Sequence, residues 1–183
     1  MYKPDNWETT EAKNGGEFER PSAGGHVLKI VRAVEAKAKE SGRDQLNMSA
    51  DIAGGEFKDY YKDLSVKLNK DCYLTAYWGL DEKSLPYFKG NIKSIEQSNN
   101  GFKFDFDENK LVGKLVGACL REEEYEDRDG NLKSSMKILF CCPIADVPNL
   151  KVPNKKELSK GPKKTAQFFS DGAPIPPQDD LPF

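Results

Sequence analysis

Lys58, Tyr60, Tyr61 and Lys62 place two cations and two aromatic rings within five residues. Ammonium groups attract phosphates, and ring faces accept flat bases; each base stacked on an aromatic side chain is worth about 1–3 kcal/mol. Arg43, Trp78, Arg128 and Lys133 are further candidates for the same chemistry, far enough apart in the chain that only a fold could bring them together. The plainer roles stand beside this one. Aromatic rings in a small domain more often fill its core, and a single lysine is ordinarily just solvated. Tyr60 and Tyr61, if adjacent on a flat strand, point to opposite faces, so one would be buried and the other exposed.

Other chemistries find little support. Cys72, Cys119, Cys141 and Cys142 form no C-x-x-C pair, and the single His26 cannot complete a Cys/His zinc set. Asp127-x-Asp129-Gly130 resembles the opening of a calcium loop, but the glycine and glutamate positions of that loop fall on Leu132 and Ile138. Asp105, Asp107 and Glu108 are carboxylates that a nuclease metal could use; between aromatics, they read more simply as the wet face of a strand. Glu122-Glu123-Glu124 reads as a solvated edge that discourages strand pairing. There is no G-x-x-x-x-G-K-[ST], G-x-S-x-G, H-E-x-x-H or G-x-G-x-x-G. The expectation is a binding protein with no cofactor, no metal and no enzymatic activity.

The chain has 183 residues, 37% hydrophobic and 32% charged, with net charge −2. That suits one modest core with extensions. An acidic balance argues against nucleic acid when taken alone, but its distribution is uneven: acids gather at Glu122–Glu124 and at the C-terminal tip. No apolar run approaches the ~20 residues of a membrane span, and the first residues lack the layout of a signal peptide. A cytoplasmic protein with reduced, buried thiols is expected.

The elements that must position the candidates emerge from periodicity. Residues 1–25 carry Gly15-Gly16 and Gly24-Gly25 and read as an irregular arm, with Trp7 and Phe18 to pin it to the domain. His26–Val34 reads as a strand. Leu46, Met48, Ala50 and Ile52 alternate with polar residues as a second, half-buried strand. Gly54-Gly55 predicts a hairpin, with Phe57–Lys62 as the return strand. Over residues 63–82, where Tyr73, Leu74, Tyr77 and Trp78 mark a structured segment, the pattern does not choose between strand and helix. Leu85, Phe88, Ile92 and Ile95 predict a helix over Ser84–Ser98, with Ser84 as N-cap and Pro86 in the first turn. Phe102, Phe104 and Phe106 predict a short strand, Lys110–Leu120 a longer one coiled at Gly113 and Gly117, and Met136–Cys142 the last, after a turn at Asp129-Gly130. Three meandering strands, a helix and a hairpin are the order of an OB-fold, a five-stranded Greek-key barrel; other small β-rich folds with one helix share it. From about residue 148, prolines and lysines punctuate a polar stretch that cannot offset its ordering entropy, so a disordered tail is expected.

The tip, Asp179-Asp180-Leu181-Pro182-Phe183, resembles the C-terminal tip of bacterial single-stranded DNA-binding proteins. Gly24-Gly25-His26, Gly55-Glu56-Phe57-Lys58-Asp59-Tyr60-Tyr61, Leu85-Pro86-Tyr87-Phe88-Lys89-Gly90 and Leu111–Gly117, taken in order, resemble the single-stranded DNA-binding proteins of phages and mobile elements. The resemblance implies three parts: an arm over 1–25, an OB-fold strand-binding domain over 26–147, and a tail over 148–183. It further implies protection of single-stranded DNA in phage or mobile-element replication, recombination or repair, within a bacterial cytoplasm. In that family the tip recruits partner proteins. The alternative is an adaptor that occupies host replication or repair pockets through its tail without strong DNA binding. Self-association is compatible with either.

Overall fold

The structure is a computed structural model; it describes Lys3, Glu8, Thr9 and residues 20–158. The expected pinning residues Trp7 and Phe18, and the tip Asp179–Phe183, lie outside the described residues.

Five antiparallel strands form one sheet, in the order β3-β2-β1-β4-β5. β1 (Gly24–Lys37) is its spine. Its first residues pair with β4 (Leu115–Glu126) and its remainder with β2 (Asp44–Ile52). The register with β2 shifts between Ile30 and Arg32, so Val31 is the extra residue of a bulge that lets one long strand serve two neighbours. β2 buries the apolar set expected of it, Leu46, Met48, Ala50 and Ile52, but its other face is not wet: Ser49 and Asp51 are buried too, Ser49 accepting from Arg32 at 3.1 Å.

The return strand over Phe57–Lys62 does not form. Gly54-Gly55 turns the chain, but Tyr60–Leu68 is a helix, α1. A tertiary contact decides this. Asp51, buried at the end of β2, accepts the backbone N–H groups of Tyr61 (3.0 Å) and Lys62 (2.9 Å) through its carboxylate. These are donors that the first turn of a helix leaves without intrahelical partners. Asp59, immediately before the helix, has a left-handed backbone (φ 59°) and provides no side-chain cap. α1 ends at Asn69 (φ 47°), whose N–H reaches back to the last carbonyls. The third strand, β3 (Leu74–Gly79), comes instead from the segment that sequence pattern left unread.

α2 (Leu85–Ser98) stands where the periodicity puts it, burying Phe88 and Ile95 and carrying Pro86 in its first turn. Ser84 makes no side-chain cap; its hydroxyl donates to Asp81 (3.0 Å), whose carboxylate also accepts the N–H of Lys83 and Ser84. Phe102, Phe104 and Phe106 are not in a strand. The N–H of Phe104 donates to the Glu96 side chain (3.0 Å) on α2 rather than to a sheet neighbour. β4 starts at Leu115 rather than Lys110, because Asp107 caps a short 3₁₀ turn, Glu108–Leu111, ahead of it. Asn99 joins the end of α2 to the start of β4, donating to Leu115 O (2.7 Å) and accepting from Leu115 N (3.0 Å). β5 (Leu132–Cys142) completes the hairpin.

Part of the segment expected as a tail lies against the sheet. After a 3₁₀ turn at Ile144–Asn149, residues 150–158 run along the sheet. β1 covers one edge of β4 only as far as Leu120; beyond it, Lys156 donates to Glu122 O and accepts from Glu124 N, both at 2.9 Å. Gly117 and Gly25 make room for the 3₁₀ turn that leads into this strap. A Cβ on Gly117 would lie 2.6 Å from the Val147 side chain, and one on Gly25 2.6 Å from the Val147 carbonyl. Gly117 thus serves close packing rather than coiling, while Gly113 (φ +83°) lies in the turn before β4. Leu28, Ile30, Met48, Ile52, Ile95, Leu111, Val116 and Leu120 are the fully buried centre of the core. All four cysteines are free thiols, and burial pushes the Cys141 thiol up to about 12. No helix among the described residues is long and apolar enough to cross a membrane.

Candidate nucleic-acid interface

β3 and β5 are the two edges of the sheet; they approach one another without pairing. Between them lies an open cleft of about 820 Å³, walled also by α1, residues 20–23 and the outer half of β4. β3 supplies it by simple alternation. Leu74, Ala76 and Trp78 are buried, so Tyr73, Thr75 and Tyr77 face the cleft, with Tyr77 66% exposed. Tyr60 and Tyr61 come from α1, and Tyr125 from β4.

Of the eight residues that the sequence nominates, Tyr60 and Tyr61 are the two that line this cleft. They pack edge to face, 5.1 Å between centroids. Tyr61 is buried, and that burial holds its phenol well above the usual tyrosine range. Tyr60 keeps partial exposure. Trp78 is a core residue, packed 6.3 Å from Phe88. Lys58 and Lys62 are exposed on the turn before α1 and on its first turn, outside the cleft lining. Arg43 is exposed in the β1–β2 turn, near enough to Asp81 to help hold that carboxyl low. Arg128 is exposed at the tip of the β4–β5 hairpin, and Lys133 near it is bound to Asp127 at 2.6 Å. The structure therefore disperses most of the expected basic set.

Other cations take their place: Arg20, Lys70 and Lys137 line the cleft. So do four carboxylates, Asp71, Glu122, Glu123 and Glu124, and each has a cationic partner. Arg32 holds Asp71 at 2.7 Å and keeps its carboxyl below the usual range. Lys155, on the strap, reaches Glu124 at 2.9 Å and Glu122 at 3.6 Å. Arg121 (Nε at 3.1 Å) and Lys156 (3.8 Å) hold Glu123. All three glutamates are held below their usual range: Glu122 first by a hydrogen bond from Ser134, Glu123 by Arg121, Glu124 by Lys155. The glutamate run is thus a paired edge, not a bare one.

Sequence reasoning missed Tyr77, Tyr73 and Tyr125 because it weighted the tryptophan and the basic run. The signal was present: in Tyr73–Trp78 the even positions are Leu, Ala and Trp, and a period of two places the tyrosines on the other face. Arg20, Lys70 and Lys137 carry no local signal, since separate elements bring them together.

The remaining polar clusters are structural. Asp127 accepts the N–H of Asp129 (3.0 Å) and Asn131 (2.9 Å), so the calcium-like string is the hydrogen-bonded tip of a hairpin. Its bond with Lys133 and these N–H groups bring the Asp127 carboxyl down to about 2. Asp105 pairs with Lys110, and Asp107 caps the 3₁₀ turn through Asn109 N (3.1 Å). Among the described residues no group of three or more His, Cys, Asp or Glu is placed to hold a metal ion.

The fold and cleft thus define a β-rich domain with an open, tyrosine-walled surface and neutralised acids. Set against known proteins, the chain matches no family model and no curated protein sequence.

Proposed function

We propose that this protein binds single-stranded DNA without catalysis and with tolerance for sequence, through the cleft between β3 and β5. The observation that carries the reading is the cleft wall itself: Tyr60, Tyr73, Tyr77 and Tyr125 around an open trough, with Arg20, Lys70 and Lys137 beside them and every lining carboxylate already paired. The exposed rings of Tyr77 and Tyr125 accept bases of any identity, with the half-buried Tyr60 and Tyr73 beside them, and cations not cancelled by free acids attract phosphates. The strand order, with α2 inserted between β3 and β4 and both sheet edges on one cleft, supports an OB-type barrel as the frame. The tip Asp179–Phe183 is read as a peptide that recruits replication, recombination or repair proteins; its terminal ring and carboxylate suit an apolar pocket with a basic rim.

Fluorescence anisotropy tests the reading. Labelled dT30 and a matched duplex are titrated at two salt concentrations with the whole chain and with a chain ending at Leu158. The expected result is binding of the single strand by both proteins, weakening steeply with salt. Absence of binding by either would leave the adaptor reading, in which the tail alone engages partners.

A further inference from the structure

A second aromatic surface lies away from the cleft, along α2 and residues 100–106, as a groove of about 970 Å³. Its most unusual residue is Phe106. The ring is 85% exposed, and the backbone beneath it is left-handed at φ 67°. A phenylalanine rarely adopts that conformation, and exposure of a whole ring gains nothing for folding. Both neighbours fix the position: Asp105 is paired with Lys110, and Asp107 accepts the N–H of Asn109. On its inner side Phe106 rests on Phe104 (5.5 Å, tilted 49°), which contacts Phe88, which contacts Trp78 in the core. The ring is therefore anchored on one side and open on the other.

Along α2 the free charge beside the ring is positive. Lys89 and Lys93 are exposed on α2, one helical turn apart, and neither forms an ion pair with a described residue. Glu96, the carboxylate lining the groove, is occupied by Lys103 (3.0 Å) and by Phe104 N. Of the acids beside Phe106, Asp105 is paired with Lys110 and Asp107 accepts from Asn109, while Glu108 has no ion-pair partner among the described residues.

We infer that the groove along α2 is a second contact for a single nucleic-acid strand, with Phe106 as a stacking face and Lys89 and Lys93 as phosphate contacts. This rests on the strand-binding reading of the protein and extends its footprint beyond the β3–β5 cleft. An open flat ring beside lysines without ion pairs is the combination that strand binding uses. A peptide partner would more often ask for a closed apolar pocket.

The test uses the full chain and labelled dT30 at two salt concentrations. Phe106→Ala should weaken binding roughly fivefold or more, the loss of one stacked base. Phe106→Trp should restore it, with quenching of the new tryptophan on addition of strand. Lys89→Ala with Lys93→Ala should flatten the dependence of log affinity on log salt by about 1.4. All three positions are exposed, and circular dichroism checks that each variant is folded. If wild type binds and Phe106→Ala and the double lysine variant match it within twofold and in slope, this inference is overturned and the cleft reading stands. If wild type does not bind, both fall. A peptide of residues 175–183 that binds wild type but not Phe106→Ala, with strand affinity unchanged, would overturn it too and assign the groove to a peptide.

Discussion

The cleft between β3 and β5 and the groove along α2 carry the same ingredients in opposite states. In the cleft every carboxylate is paired, and apart from Arg121, which holds Glu123 on the same strand, the pairing comes from distant parts of the chain: Arg32 from β1, Lys155 and Lys156 from the strap. In the groove the acid is paired locally, and two lysines on one helix have no ion-pair partner among the described residues. The cleft is thus a tertiary product, and its wall α1 exists because Asp51 caps it from β2. The groove depends on a helix whose own sequence specifies it. Perturbing long-range contacts should therefore damage the cleft and spare the groove.

The largest effect is expected where the two surfaces share a root. Trp78→Ala removes a core ring that supports β3 on one side and the Phe88–Phe104–Phe106 ladder on the other. It should cost about 3–5 kcal/mol, read as a lowered urea midpoint. Tyr77→Ala, the neighbouring residue but 66% exposed, should leave that midpoint nearly unchanged. The pair separates core from surface on one strand; equal stability losses would sink that assignment.

Asp51→Ala comes next. It leaves the N–H groups of Tyr61 and Lys62 without their charged acceptor and should cost about 2–3 kcal/mol. Amide exchange should quicken across α1 while α2 keeps its protection. Loss of protection in both helices alike would break the contrast between a tertiary and a local helix.

Tyr77→Ala should also lower dT30 affinity about tenfold, from a stack worth ~1–3 kcal/mol. Lys155→Glu with Lys156→Glu should act more weakly, by about three- to tenfold at low salt, and the difference should shrink as salt rises. Stability should barely change, because the pairs are at the surface. If strand affinity were unmoved while salt dependence stayed the same, the strap would not set the sign of the cleft.

The smallest effect concerns the hairpin that carries Tyr125. Asp127, held at about 2 by Lys133 and backbone N–H groups, has a folded value below its ordinary one. Its stabilising contribution is therefore complete above about pH 4 and is lost as pH falls through about 2. A carboxyl titration by NMR should show the low value in wild type and a return toward the ordinary range in Lys133→Ala. An unchanged value in that variant would remove Lys133 as the cause.

α2 was legible because Leu85, Phe88, Ile92 and Ile95 repeat at helical spacing and Pro86 suits a first turn. β2 was legible in its core-facing set, Leu46, Met48, Ala50 and Ile52, which repeat with a period of two; its polar face was expected to be wet, but Ser49 and Asp51 are buried under contacts from other parts of the chain. Phe57–Lys62 was misread because Gly54-Gly55 signals a reversal without specifying the next element, and the acceptor that favours the helix is Asp51, which no local pattern reveals. Phe102–Phe106 alternates as a strand does, yet its backbone turns to the end of α2: Phe102 N–H donates to Asn99 O and Phe104 N–H to the Glu96 side chain, both at 3.0 Å. The eight candidate residues fared by the same rule. Residue types were informative, but Trp78 and Tyr77 exchange roles according to which face of β3 meets the core.

The sequence by itself determined the β-rich class, α2, the core-facing set of β2 and the final hairpin, because these rest on periodicities that neighbouring residues impose on one another. Only the tertiary structure decided that α1 is a helix, that Gly25 and Gly117 seat the turn leading into a strap that reaches to Leu158, and that Glu122 and Glu124 are paired with it. Each of those outcomes depends on a buried acceptor, a missing Cβ or an opposing charge contributed from elsewhere in the chain, and such partners have no signature in local order.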